Sequence, residues 1–342
     1  MATVRHDWID AVKGLGIILI VISHCEINDD NLQQAMFYLT PGYVSMFFML
    51  AGYNARKEPF LPALGKKFKR LIIPYFVYGT LAILIFQNIT IEGVTGHSLS
   101  HDFSALFYSR YSTYKLGAEG NTMMLPLYMA PVWFLTAMFI AYIWFYIYIQ
   151  LKSKASKWSC ISIYIALTLF FTDNDLLLPW SLDTSFLCSL LIISGYEFKD
   201  YFMANNKKEI KYFAVFVIAC ALYIFIVSIN GTTNLSIKKY GNSPYTGVAL
   251  FFMLSILITY IYGELFKSFT HTSITKCFAF VGRQSLRIMC FHVPIIFLIG
   301  ISTDMSASGI FVVSLLLSIL MSWIAGHLFK LASKIMPFFK YL

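Results

Sequence analysis

Apolar residues run along this chain in blocks close to the ~20 residues that a helix needs to cross hydrocarbon, and the blocks recur from one end to the other with short polar gaps between them. The pattern predicts ten spans, at 8–25, 34–53, 71–90, 132–151, 159–176, 184–198, 212–229, 246–264, 285–301 and 308–328. The expected fold class is therefore all-α, a polytopic membrane protein of about ten transmembrane helices. No linker or low-complexity tract interrupts it, so residues 1–342 read as a single transmembrane domain.

The polar gaps alternate in charge. One side collects Arg5 and Lys13, the cluster from Arg56 to Arg70, Lys152 to Lys157, Lys199 to Lys211, Lys267 to Arg287, and Lys330 to Lys340. The other holds Glu26, Asp29, Asp30, Asp173, Asp175, Asp183 and Asp304, with Arg110, Lys115, Lys238 and Lys239 as basic exceptions. Lys and Arg accumulate in short cytoplasmic loops, so both termini are expected in the cytoplasm.

Composition agrees with this reading. The chain is 58% hydrophobic and 13% charged, with a mean hydropathy of +0.69, against a charged fraction of about a quarter in soluble domains. The net charge of +9 follows from the loop bias, so no nucleic-acid partner is expected. Six cysteines stand singly with no CxxC spacing, which predicts buried fillers rather than disulfides or a metal site. The first apolar run ends in His-Cys-Glu instead of a small-residue cleavage site, so it is expected to be retained.

That first run, AVKGLGIILIVISHCE, carries the candidate chemistry. Lys13 and His24 are eleven residues apart, which on a helix brings them within roughly 20° of one another and about 16 Å apart along the axis. Asp10 falls near the same face and can pair with Lys13. Ionisable groups inside membrane spans are costly and mark pathways or reactive sites, and histidine is suited to taking a proton from a hydroxyl near neutral pH. The stripe suggests proton chemistry at His24 and anion binding at Lys13.

Other features add to it. GKKFKRLIIPYF at 65–76 sets four cations, Lys67 and Arg70 among them, immediately before a span, where they serve either topology or a phosphate-bearing ligand. Residues 91–131 form a long extracytoplasmic loop with Phe107, Tyr108, Tyr111 and Tyr114, running into Trp133. Its aromatic faces suit either sugar stacking or an interfacial belt. His292 lies inside a late span before Pro294, as a structural residue bonded to a carbonyl freed by the proline or as a site residue. Three functions compete on these residues: a membrane enzyme, an exporter or flippase of a cell-surface glycan, and an envelope scaffold. No internal repeat of the kind transporters show is visible.

DWIDAVKGLGIILIVISH resembles the opening helix of the acyltransferase-3 family, bacterial membrane proteins that O-acylate cell-surface sugars, whose signature is Arg or Lys, ten residues, then His. SMFFMLAGYNARK, KKFKRLIIPYF, APVWFLTAMF, SLDTSFLCSLLIISGYEF and SLRIMCFHVPI resemble later family segments in the same order, over nearly the full chain. The short length and the IDAVKG form are most similar to the fucose O-acetylase branch. The resemblance implies an O-acetyltransferase of the bacterial inner membrane, with acetyl-coenzyme A as donor, no metal, and a lipid-linked or surface glycan as acceptor. It leaves a homo-oligomer open. It puts the catalytic role on His24 and donor binding on Lys13, Lys67 and Arg70, the two lysines standing where many members have arginine; Asp10, on the same stripe, is the second catalytic candidate. Trp133, Tyr111 and His292 are the candidates for the acceptor. Direct transfer and an acyl-histidine relay fit equally.

Overall fold

A computed structural model describes residues 6–25, 30–89, 98–111, 124–173, 176–200, 210–334 and 340–342. Among these residues there is no β-strand, and a lone antiparallel bridge joins Asn234 to Lys239. The helices are α1 (Asp7–Ser23), α2 (Asp30–Leu39), α3 (Met46–Tyr53), α4 (Phe60–Phe86), α5 (Leu99–Tyr108), α6 (Trp133–Gln150) and α7 (Lys154–Thr172). They continue as α8 (Leu182–Glu197), α9 (Ile210–Asn230), α10 (Pro244–Ser268), α11 (Ser273–Gly282), α12 (Ser285–Ser302) and α13 (Ala307–Ala332).

Among the described residues, seven stretches are long and apolar enough to cross a membrane: Phe60–Phe86, Leu127–Gln150, Lys154–Thr172, Phe213–Asn230, Pro244–Ser268, Ser285–Ser302 and Ala307–Ala332. The other three expected spans are shorter helices. α1 has 17 residues, about 26 Å against the ~30 Å of a hydrocarbon core. α8 has 16. The expected span 34–53 is two helices, because Pro41 cannot donate a backbone hydrogen bond and Gly42 takes φ +81°. α4 begins at Phe60, so GKKFKR lies within the helix rather than ahead of it; Lys and Arg are good helix formers and carry the turn out past the apolar segment. The long loop also has structure of its own, in α5 and a 3₁₀ turn at Leu127–Val132. Hydroxyl caps begin several helices: Ser98, Ser153, Thr272 and Ser306 accept from the backbone N–H three residues on.

Two compact units emerge. The first comprises Met1–Ala55, Leu191–Leu235 and Lys239–Leu286. Here α1 lies against α11 with almost nothing between the backbones. A Cβ on Gly14 would overlap the carbonyl oxygen of Phe278, and one on Gly282 would overlap that of Asp10. The same device recurs between the two Gly-Tyr segments, where Gly52 abuts the Ile192 carbonyl and Gly195 abuts the Met49 carbonyl. Such approach is open only to glycine, the means by which helices pack in membranes without a hydrophobic driving force. Gly282→Val is expected to destabilise the protein by about 1–3 kcal/mol through overpacking, read as a lower thermal unfolding midpoint in detergent. An unchanged midpoint would contradict this packing.

The second unit comprises Arg56–Leu190, Ser236–Lys238 and Arg287–Leu342. α4 packs on α6 and α5. Tyr75 donates to the Leu106 carbonyl at 2.5 Å, and Tyr128 stacks on Phe86 at 4.6 Å between centroids while its hydroxyl donates to Asp102 at 2.7 Å. α13 hides Ser314, Ser318 and Ser322 on one stripe and exposes Leu316, Leu320, Trp323, Leu328 and Leu331. A surface of that kind belongs in lipid, and α7 and α9 share it through Ile163, Phe170, Ile218 and Phe225. The chain is a multi-pass membrane protein. Cys25, Cys160, Cys188 and Cys290 are buried, and all six cysteines are free thiols.

Candidate active site

α1 ends at His24, and its last turn shows why. The Ile20 carbonyl, one of those left without a helical partner at a C-terminus, accepts from Ser23 Oγ at 2.8 Å and stands 2.7 Å from His24 Nδ1. His24 itself has φ −99° and ψ 0°, and its N–H reaches back to the Val21 carbonyl. A carbonyl can only accept, so Nδ1 carries a proton, and in the neutral ring the lone pair is on Nε2. Because the Ser23 proton is spent on Ile20, the Tyr43 hydroxyl, 3.1 Å from Ser23 Oγ, is the donor in that pair. Ser23 and Tyr43 thus brace the turn that holds the imidazole. Neither was singled out by sequence reasoning. The signal for Ser23 was its place beside His24; Tyr43 is 20 positions from Ser23 and left no signal.

At the other end of α1, Lys13 Nζ lies 3.4 Å from Asp10 Oδ1, with side chains 27% and 6% exposed. The expected i,i+3 pair is present. Asp10 accompanies the lysine and stands fourteen residues from His24 on the same helix, about 21 Å along the axis. Around this end the first unit gathers further charge. Trp8 packs edge-on against Tyr53 at 5.3 Å and receives Lys267 Nζ at 4.9 Å from its ring, while Lys267 pairs with Glu264 at 2.7 Å. Arg283 lies 3.7 Å from Asp7. The loop-charge pattern had Lys267 and Arg283 on the same side as Lys13, but only tertiary packing sets Lys267 on Trp8.

The remaining candidates belong to the second unit. Lys67 Nζ sits 3.8 Å above the Tyr142 ring, a cation–π contact, and Arg70, three residues on along α4, is exposed. Trp133 opens α6 but is only 7% exposed, edge-on to Phe134. Tyr111 is half-buried next to Arg110, and burial raises its phenol above the usual range. His292 is fully buried with Nδ1 3.0 Å from the Ile288 carbonyl. That is one turn back from the histidine, and not the Cys290 carbonyl that Pro294 deprives of a donor. Phe107, one of the loop's four aromatic candidates, is exposed and accepts at its carbonyl from Trp180 Nε1 at 2.8 Å; Tyr114 lies outside the described residues.

Among the described residues no three His, Cys, Asp or Glu side chains stand close enough to hold a metal ion. What α1 offers is a histidine with a set tautomer at one end and a cation steadied by a carboxylate at the other. No curated protein and no solved structure matches the chain. A family model described as an acyltransferase domain matches residues 6–327, from the residue before α1 into α13 and through both units. With the Lys13/His24 helix, the apolar spans and this match together, the chain belongs to the acyltransferase-3 family of membrane acyltransferases.

Proposed function

We propose that residues 1–342 act as one transmembrane O-acetyltransferase domain of a bacterial inner membrane, with about ten spans and both termini in the cytoplasm. The donor is acetyl-coenzyme A from the cytoplasm, and the acceptor is a hydroxyl of a lipid-linked or surface glycan. The observation that carries this reading is the Nδ1 contact to the Ile20 carbonyl, which leaves Nε2 as the basic nitrogen of His24.

Nε2 takes the proton of the sugar hydroxyl as its oxygen attacks the thioester carbonyl. A tetrahedral intermediate forms, the C–S bond breaks, and the leaving thiolate recovers the proton from the imidazolium. In the relay version Nε2 itself attacks the thioester carbonyl and the C–S bond breaks to release the coenzyme A thiolate; the sugar oxygen then attacks the acetyl-imidazolium, the N–C bond breaks, and the freed Nε2 takes the hydroxyl proton; ping-pong kinetics would mark that route. Lys13, held by Asp10, binds an anionic group of the donor, and the ~16 Å from Lys13 to His24 is comparable to a pantetheine arm. Lys67 and Arg70 offer the same charge chemistry on their own helix. Trp133 is too enclosed to stack on a sugar in this conformation, so the acceptor role falls better to Tyr111.

The test is coenzyme A release by purified protein in nanodiscs with a glycan acceptor. Lys13→Gln is expected to raise KM for acetyl-coenzyme A about tenfold or more, the effect of losing a charge-assisted contact. An unchanged KM would remove Lys13 from donor binding. Glycan movement across the vesicle without acetyl turnover would favour the exporter reading instead.

A further inference from the structure

α13 carries one continuous outward stripe. Leu316, Leu320, Trp323, His327 and Lys330 follow one another at spacings of four, three, four and three residues, which keeps them on one face of the helix, and Lys334 lies in the turn just after its end. All of these side chains are exposed, and the buried Ser314, Ser318 and Ser322 mark the opposite face. The stripe changes character along its length. Its aliphatic part belongs to the lipid-facing surface, and it gives way to an indole, an imidazole and an ammonium group within about 10 Å, with a second ammonium group beyond them.

These polar groups are unspent. Elsewhere in the chain Lys13 and Lys267 face carboxylates, and Lys67 and Lys157 lie over aromatic rings. Among the described residues Lys330 and Lys334 have neither kind of partner, and the indole N–H of Trp323 has no acceptor. The His327 ring packs on Trp323 at 4.4 Å between centroids, with Nδ1 2.9 Å from the Trp323 carbonyl. Nδ1 therefore carries a proton, and Nε2 is left to accept from a hydroxyl or, once protonated, to add a positive charge. The sequence has no Asp or Glu after Asp304, so nothing on this helix answers the charge. A topology anchor needs only cations at a helix end. A set of donors continuous with an apolar track fits an amphiphile whose head is anionic and whose chains lie along Leu316 and Leu320. A zwitterionic head would bring its own cation against Lys330 and Lys334 and leave their charge unbalanced.

We infer that the Trp323–Lys334 end of α13 is a docking site for an anionic glycerophospholipid, its headgroup on Lys330 and Lys334 and its acyl chains on the aliphatic stripe. The probe is phosphatidylglycerol retained by the purified full chain from an equal mixture with phosphatidylcholine, counted by native mass spectrometry. Lys330→Gln/Lys334→Gln is expected to retain roughly tenfold less phosphatidylglycerol, the scale of losing two cations from an anionic lipid surface. Its thermal midpoint should stay at the wild-type value, because both side chains are exposed. Lys57→Gln/Lys152→Gln removes the same charge from two exposed residues between helices, on the side to which the loop-charge pattern also assigns Lys330 and Lys334, and is expected to retain the wild-type amount. Equal retention by the wild type and Lys330→Gln/Lys334→Gln overturns the inference. So does an equal loss in the two double variants, which reduces the effect to net charge. Displacement of the retained lipid by free coenzyme A overturns it as well, and gives the cluster to a soluble phosphate ligand.

Discussion

His24→Ala is expected to lower the rate of acetyl transfer by about 10²–10⁴-fold, the usual worth of a positioned general base. Nothing about the fold requires so large an effect. The imidazole is half-buried at the very end of α1, and the Ile20 carbonyl that receives Nδ1 also receives Ser23 Oγ, so the helix end keeps a cap without the ring. The variant should therefore reach the membrane in wild-type amount. His24→Gln makes the test sharper: its amide can still donate to Ile20 but cannot accept a proton at neutral pH, and the same loss is expected. The measurement is acetyl transferred per folded enzyme at saturating donor. A variant retaining a third of the wild-type rate would end the base assignment.

Arg110→Ala is expected to destabilise the protein by about 3–5 kcal/mol, because removing one partner of a buried ion pair strands the other. Arg110 and Asp183 are both fully buried, with Nη2 2.7 Å from Oδ2, and Arg110 Nη1 donates to Ser181 Oγ at 3.0 Å. Lys238 Nζ stands 3.9 Å from the same carboxylate oxygen and donates to the Phe171 and Leu176 carbonyls. The four non-glycine residues with positive φ among the described residues, Ser109, Trp180, Ser181 and Lys238, all lie in or beside this cluster. Backbone held in that region persists only where its surroundings over-determine it. Thermal unfolding in detergent should show a loss close to that limit for Arg110→Ala. The Arg110→Met/Asp183→Leu double variant should lose less, since the buried carboxylate leaves together with its main partner and Lys238, though it loses that carboxylate, keeps its two carbonyl acceptors. Equal losses in the single and double variants would mean that packing, and not the ion pair, carries the stability.

These two sites were legible to different degrees. The Lys13/His24 stripe and the Asp10 pair are local, set by helical spacing within 14 residues, and sequence alone placed them on one face. The support for His24 is local too, because a carbonyl four residues back is always within reach of a ring at a helix end. The Arg110 cluster was visible only as a disturbance: Arg110 and Lys238 broke the loop-charge pattern, and the reason, a carboxylate 73 positions from Arg110, is tertiary. Apolar block length identified where helices lie, but not their ends. α4 extends well ahead of its apolar segment, and Pro41-Gly42 cuts a block whose hydropathy is continuous. The Gly-Tyr segments were recognisable as motifs, while the reciprocal contact of Gly52 and Gly195 that explains them needs both helices in place.

Whether His24 is the base of an acetyl transfer to a glycan is read from mass spectrometry of surface glycans from cells expressing wild type, His24→Ala or Lys13→Ala at equal membrane levels. The expected result is a base-labile acetyl mass on the wild-type glycan that is absent with His24→Ala and reduced with Lys13→Ala. A glycan mass unchanged by His24→Ala, with the amount displayed at the surface altered instead, would contradict it and move the function to glycan export.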